Sequence, residues 1–144
     1  GGFVPNLELF VSVMYRNVLE TAKQWVYHES RIQSLNLSMK KRFFHKGKGS
    51  NAGFVRVVPE LREMVQFRKI NLLDSKWPVD LPVNIIFCRN VMIYFDRPTQ
   101  KKILERMVKM MPTTGMYVAG HSENFTMYPS LVTPMGKTLY RPVA

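Results

Sequence analysis

The sequence holds 144 residues, 46% of them apolar and 12% aromatic, with one cysteine and 21 Lys+Arg against 10 Asp+Glu. Its hydrophobicity excludes a disordered chain, the single Cys88 excludes an internal disulfide framework, and no stretch approaches the roughly 18 apolar residues of a membrane span. A formal net charge of +11 predicts attraction to an acidic partner, whether protein, nucleic acid or anionic membrane surface. The length is that of one domain burying roughly 68–70% of its unfolded surface. No charged-then-apolar leader opens the chain, so a reducing, cytoplasmic setting is expected. The opening Gly1-Gly2 without Met suggests an excised piece.

Along the chain, Glu8 to Val13 is apolar and β-branched and predicts a strand. Asn17 to Val26 carries Val18, Ala22, Trp25 and Val26 at helical spacing. Ser38 is expected to cap a short helix over Met39 to His45, with Phe43 and Phe44 toward a core. Gly47 to Gly53 is rich in turn residues. Phe54 to Val58 and Met64 to Ile70 read as strands joined through Pro59 to Glu63, an antiparallel hairpin with Arg56, Arg68 and Lys69 outside. Between Arg16 and Lys69 there are 12 Lys and Arg against 4 Asp and Glu, so the positive charge gathers in this half.

The pattern then changes. Val83 to Cys88 (VNIIFC) is a compact apolar run, as expected of a strand buried on both faces of a parallel sheet. Thr99 to Met111 predicts a helix capped by Asp96 or Thr99, with Ile103, Leu104, Met107, Val108 and Met111 on one face and Pro112 and Gly115 ending it. Met116 to Ala119 and Thr138 to Tyr140 read as short strands. Strand, helix, strand in this order points to an open α/β sheet, with the basic hairpin as an inserted subdomain over residues 46–70.

Several motifs carry little. Gly47 to Ala52 formally fits G-x-G-x-x-A, but a helix is expected before it and a strand after it, the reverse of a dinucleotide site. His121, Glu123 and Cys88 have no metal-ligand spacing, and no metal is expected. Cys88 ends an apolar strand, where a free thiol is usually an inert hydrophobe. The informative stretch is Ile86 to Asp96, IFCRNVMIYFD. It runs from an apolar strand into a polar turn, placing Arg89 and Asn90 just past the strand's carboxyl end, the edge at which open α/β sheets bind ligands. An Asn there offers an acceptor and two donors, and Tyr94 follows four residues later. The plainer reading is a loop whose polar groups merely cap strand and helix ends.

Asn71-Leu-Leu-Asp74, IFCRNVMIYFD, Pro98-Thr-Gln-Lys-Lys-Ile-Leu104 and Gly120-His-Ser-Glu-Asn124 resemble, in order, the chemotaxis receptor methyltransferase family, CheR. Arg42 to Gly49 and Gly53 to Leu61 are similar to that family's inserted β-subdomain, and Asn17 to Ala22 with Val26-Tyr27 to the segment before it. The resemblance implies a cytoplasmic enzyme that methylates glutamate side chains of chemoreceptors with S-adenosylmethionine. It implies an α/β, Rossmann-like methyltransferase sheet, with Met116–Ala119 and Thr138–Tyr140 as an antiparallel pair at its carboxyl end. Asn71 and Leu72 are expected at the adenine end of the cofactor, and Arg89 and Asn90 at its methionine end. Tyr94, with Arg89 the catalytic assignment, is expected beside the methyl group and the acceptor carboxylate. Gly53, Phe54, Val55 and Arg56 are expected to dock the acidic receptor. A glutamate with a reference pKa near 4.3 is already ionised at neutral pH, so alignment of the reactants, worth roughly 7–11 kcal/mol, can replace a general base or metal.

The chain also departs from the pattern. No glycine-rich cofactor loop and no amino-terminal helical domain are present in it, and the positions where acidic residues meet the ribose read Val13 and Tyr15. An Asp usual near the strand is Asn84, and the turn after the helix reads Met111-Pro-Thr-Thr-Gly115. Weak or absent cofactor binding by this chain alone, and a truncated or inactive product, are therefore expected. An exposed sheet edge predicts a homodimer. A catalytically dead receptor-docking module, binding by strand addition, and a nucleic-acid binder suggested by charge alone stand as alternatives. The expected partner is the receptor, with no nucleic acid and no insertion into membrane.

Overall fold

The computed structural model describes residues 9–13 and 16–143. Glu8 and Tyr15 lie outside the described residues. Contacts divide the chain between Pro78 and Val79 into two compact units, where its length alone suggested one domain. The stretch from Asn71 to Asn84 at this division holds no helix or strand.

In the first unit, β1 (Leu9–Val13) is followed by α1 (Arg16–Ala22), β2 (Val26–His28) and a 3₁₀ turn at Glu29–Ile32. α2 (Leu37–Phe43), β3 (Phe44–Lys46), β4 (Phe54–Val57), α3 (Pro59–Arg62) and β5 (Val65–Lys69) complete it. β1 and β5 pair in parallel, Leu9 opposite Val65 through Val13 opposite Lys69. β2, β4 and β3 form a separate antiparallel sheet with β4 in the middle. The expected hairpin is thus not formed. α3, with Pro59 at its start, redirects the chain so that β5 joins β1 instead of β4. The antiparallel sheet begins at Val26 and ends at Val57, so the boundaries 46–70 are replaced by a segment that starts earlier and stops before β5.

Two further expectations are corrected here. The helix expected to reach Val26 ends at Ala22, and Trp25 sits at φ 59°, a strained conformation for a bulky residue. Its ring lies 5.4 Å from that of Phe67, and its carbonyl accepts the N–H of Val57. The cap of α2 is Asn36, whose Oδ1 accepts the Met39 N–H at 2.8 Å, so the helix starts two residues before the expected Met39.

In the second unit, β6 (Ile85–Cys88) leads through a 3₁₀ turn at Met92–Tyr94 into α4 (Arg97–Lys109), followed by β7 (Met116–Ala119), β8 (Val132–Pro134) and β9 (Leu139–Pro142). β6 and β7 are parallel and joined by α4, a βαβ unit. β9 runs antiparallel to both β7 and β8, giving the order β6-β7-β9-β8. Asp96 caps α4 through a 2.9 Å bond from Thr99 N to its Oδ1. α4 buries Ile103, Leu104 and Met107, and Tyr117, Phe125 and Tyr140 stack edge to face at 5.7 and 5.5 Å. β6 is not buried on both faces as expected. Cys88 is buried, but Ile85 and Phe87 are 56% and 73% exposed, because β6 is an end strand of its sheet.

Candidate active site

The chain leaves β6 at Cys88 and enters a turn held largely through its backbone groups. Asn90 takes φ 61°, the left-handed region that Asn tolerates better than most residues. Its N–H donates to Glu123 Oε1 at 3.1 Å, and the N–H of Met92 donates to Glu123 Oε2 at 2.9 Å. Glu123 Oε1 also accepts the N–H of Gly120 at 2.7 Å. From the other side Gln100 Nε2, on α4, donates to the carbonyls of Met92 at 2.7 Å and Phe95 at 2.9 Å. A carboxylate and an amide thus satisfy complementary halves of the same turn. Met92 is fully buried and anchors it, while Arg89, Asn90 and Tyr94 are exposed, Tyr94 at 81%, and the Asn90 side-chain oxygen lies against Gly120.

Gly120 allows this arrangement. A Cβ at that position would collide with the Asn90 side chain, stand 2.8 Å from the Asn90 nitrogen and lie 3.0 Å from Glu123 Oε1. Behind the turn, burial pushes the Cys88 thiol up, opposed by the Tyr117 hydroxyl and reinforced by the Glu123 carboxylate. Burial likewise pushes the Tyr117 hydroxyl well above its ordinary range, and that hydroxyl has no partner in hydrogen-bond geometry. The floor beneath the exposed side chains therefore stays neutral at the thiol and the phenol at physiological pH.

The other expected residues lie in the first unit. Asn71 and Leu72 follow the carboxyl end of β5, and Asn71 Oδ1 accepts the Leu73 N–H at 3.0 Å, forming a tight polar turn. Gly53 precedes β4 at φ 88°. Phe54 and Arg56 are exposed, whereas Val55 is 3% exposed. Because β4 is paired on both sides, its own backbone is unavailable to an added strand. A cavity of about 480 Å³ lies on this sheet, its lining including His45, Lys46, Asn51, Phe54 and Arg56. Among the described residues no group of His, Cys, Asp and Glu is arranged to hold a metal ion, and no helix is long and apolar enough to cross a membrane.

Residues 7–140 match the family described as CheR methyltransferase, SAM binding domain. The chain belongs to the CheR methyltransferase family. Over 142 residues it is 48% identical to chemotaxis protein methyltransferase 2 of Pseudomonas aeruginosa, covering 99% of this chain and 51% of that protein. It is 41% identical to the chemotaxis protein methyltransferase of Salmonella typhimurium over 133 residues, 92% of this chain and 46% of that one. A probable biofilm formation methyltransferase, WspC, also from Pseudomonas aeruginosa, is 30% identical over 85% of the chain and 28% of its own length. The chain spans about half the length of the chemotaxis methyltransferases it matches. Within this CheR segment, the part Glu123 and Gln100 play in holding the turn is what the sequence did not disclose; Glu123 was weighed there only as a metal ligand or acid–base partner. Both act on the backbone of a turn remote in sequence, and no local spacing signals that.

Proposed function

We propose that this chain carries part of the catalytic domain of a cytoplasmic enzyme that transfers a methyl group from S-adenosylmethionine to glutamate side chains of chemotaxis receptors. The observation that carries the proposal is the clamped turn after β6. It carries an exposed guanidinium, carboxamide and phenol within six residues of sequence, past the carboxyl end of a parallel strand, in a chain of CheR sequence. On this reading each parallel strand pair is Rossmann-like in kind, and the antiparallel sheet between β1 and β5 in the sequence is the inserted subdomain.

These residues suit an amino-acid-bearing ligand. Arg89 offers a fork for a carboxylate, and the Asn90 amide offers donors and an acceptor. Gly120 clears the space against Asn90 that a side chain would fill. Asn71 and Leu72 are assigned the adenine end. When bound, S-adenosylmethionine supplies an electrophilic methyl group on a sulfonium. Tyr94 orients the acceptor carboxylate, and Arg89 and Asn90 fix the donor end against it. No residue has to remove a proton, because glutamate is ionised at neutral pH. The basic surface, with Lys46 and Arg56 at the cavity, favours an acidic receptor segment. That cavity also favours a second reading, a receptor-docking module without turnover, which receptor-fragment pull-down beside a methylation assay distinguishes.

The test is ultraviolet cross-linking with methyl-labelled S-adenosylmethionine, followed by peptide mapping. Label is expected on the peptide holding Asn90 and Tyr94. Label confined to peptides without residues 89–94 or 71–72 overturns the proposal.

A further inference from the structure

Glu123 is left without a role by the chemistry above, although it is buried at 8% exposure and, among the described residues, belongs to no group of His, Cys, Asp and Glu that could hold a metal ion. We infer that Glu123 is a positioning residue: its carboxylate imposes the left-handed conformation of Asn90 and so sets where the donor-binding side chains point. This rests on the reading of the turn as the site of the methyl donor.

Three backbone N–H groups converge on this one carboxylate, those of Gly120, Asn90 and Met92, at 2.7, 3.1 and 2.9 Å. A carboxylate accepts on both oxygens; a glutamine in its place would set an amide donor against one of the N–H donors. Hydrogen bonds to a charged acceptor are the strong ones. A left-handed non-glycine residue persists only where its surroundings over-determine it, and here Glu123 holds the N–H of Asn90 itself and that of Met92 two residues on. Gly120 completes the device, since any Cβ there would press on both the Asn90 nitrogen and the carboxylate. Gln100 fixes the far end of the turn through Met92 and Phe95, leaving the Asn90 end to Glu123.

The experiment compares the full chain with Glu123→Gln, Gly120→Ala, Asn90→Ala and Tyr140→Phe, by amide hydrogen exchange and by titration with S-adenosylhomocysteine. Tyr140→Phe removes the acceptor of the Phe125 N–H in the same loop region without touching the turn, and reports what loss of stability alone does. In Glu123→Gln the amides of Asn90, Met92 and Gly120 are expected to lose protection by about tenfold or more while those within α4 keep theirs. Its affinity for S-adenosylhomocysteine is expected to fall by about tenfold or more, against a change within about twofold for Tyr140→Phe. If Glu123→Gln does not fold, Gly120→Ala, which keeps the charge but displaces the carboxylate, is expected to give the same two changes. Retained protection at the three amides overturns the inference. So does equal weakening by Tyr140→Phe, or unchanged affinity in Glu123→Gln when Asn90→Ala has lost it. Unchanged affinity in Asn90→Ala, or no binding by the unaltered chain at millimolar ligand, instead overturns the reading of the turn as the donor site and the inference with it.

Discussion

Asn90 and Cys88 stand two residues apart and meet opposite environments. Asn90 is exposed, with its side-chain oxygen against Gly120 and its backbone N–H held by Glu123, while Cys88 is buried. The thiol's pKa lies above its ordinary 9.0 in the folded chain, chiefly because burial disfavours the thiolate. A group raised on folding contributes its stability in full below its unfolded pKa, and that contribution is lost as pH climbs toward the folded value. Stability is therefore expected to fall as pH rises past 9.0, with Tyr117 adding to the fall above 10.0, and Cys88→Ala to flatten the first part. Denaturant titrations at several pH values check this. Alkylation of the folded chain near neutrality is expected to run at least about tenfold slower than that of the unfolded chain; equal rates would contradict the buried placement. At this scale the position of Arg89 and Asn90 just past a strand's carboxyl end was legible, because an apolar run passing into a polar turn marks that end. Glu123 was not, because it reaches the Asn90 N–H across 33 residues, and nothing local distinguishes an acceptor of backbone N–H groups from a ligand or a catalyst.

Elements with strong local signals came through the sequence best. α4 has a capping Asp96, a Pro in its first turn and an apolar stripe, and its structure follows them. Leu104 is completely buried on that stripe, so Leu104→Ala is expected to cost about 2–5 kcal/mol. Asn36→Ala, which removes only the cap of α2, is expected to cost about 1 kcal/mol; thermal unfolding in which the cap costs more than the core residue would contradict this assignment of burial. Strand pairing was harder to read. Phe54–Val57 and Val65–Lys69 both carry strand composition, and a short connection favours a hairpin. Whether β5 runs beside β4 or β1 is decided by a partner more than fifty residues upstream and by the turn at α3, neither of which shows in local spacing. β2 and β3, at three residues each, are too short for their periodicity to register. The apolar run of β6 was read as doubly buried because composition does not reveal which strands end a sheet.

On the scale of the whole molecule, charge and sheet edges govern association. Chain-wide, +11 favours an acidic partner and makes its capture sensitive to salt. Among the described residues β6 is paired on one side only and carries two exposed apolar side chains, Ile85 and Phe87, which is the kind of edge that recruits a second strand. A dimer through β6 is expected in light scattering, with Phe87→Lys returning the monomer; a parent chain that is monomeric at high concentration would contradict this.

The account as a whole stands on the turn from Arg89 to Tyr94 as the place where the methyl donor is held. Nuclear magnetic resonance titration of the chain with S-adenosylhomocysteine tests it most directly. The amides of Arg89, Asn90, Met92 and Tyr94 are expected to shift. Amides from 89 to 94 that stay unmoved at millimolar ligand would contradict the account.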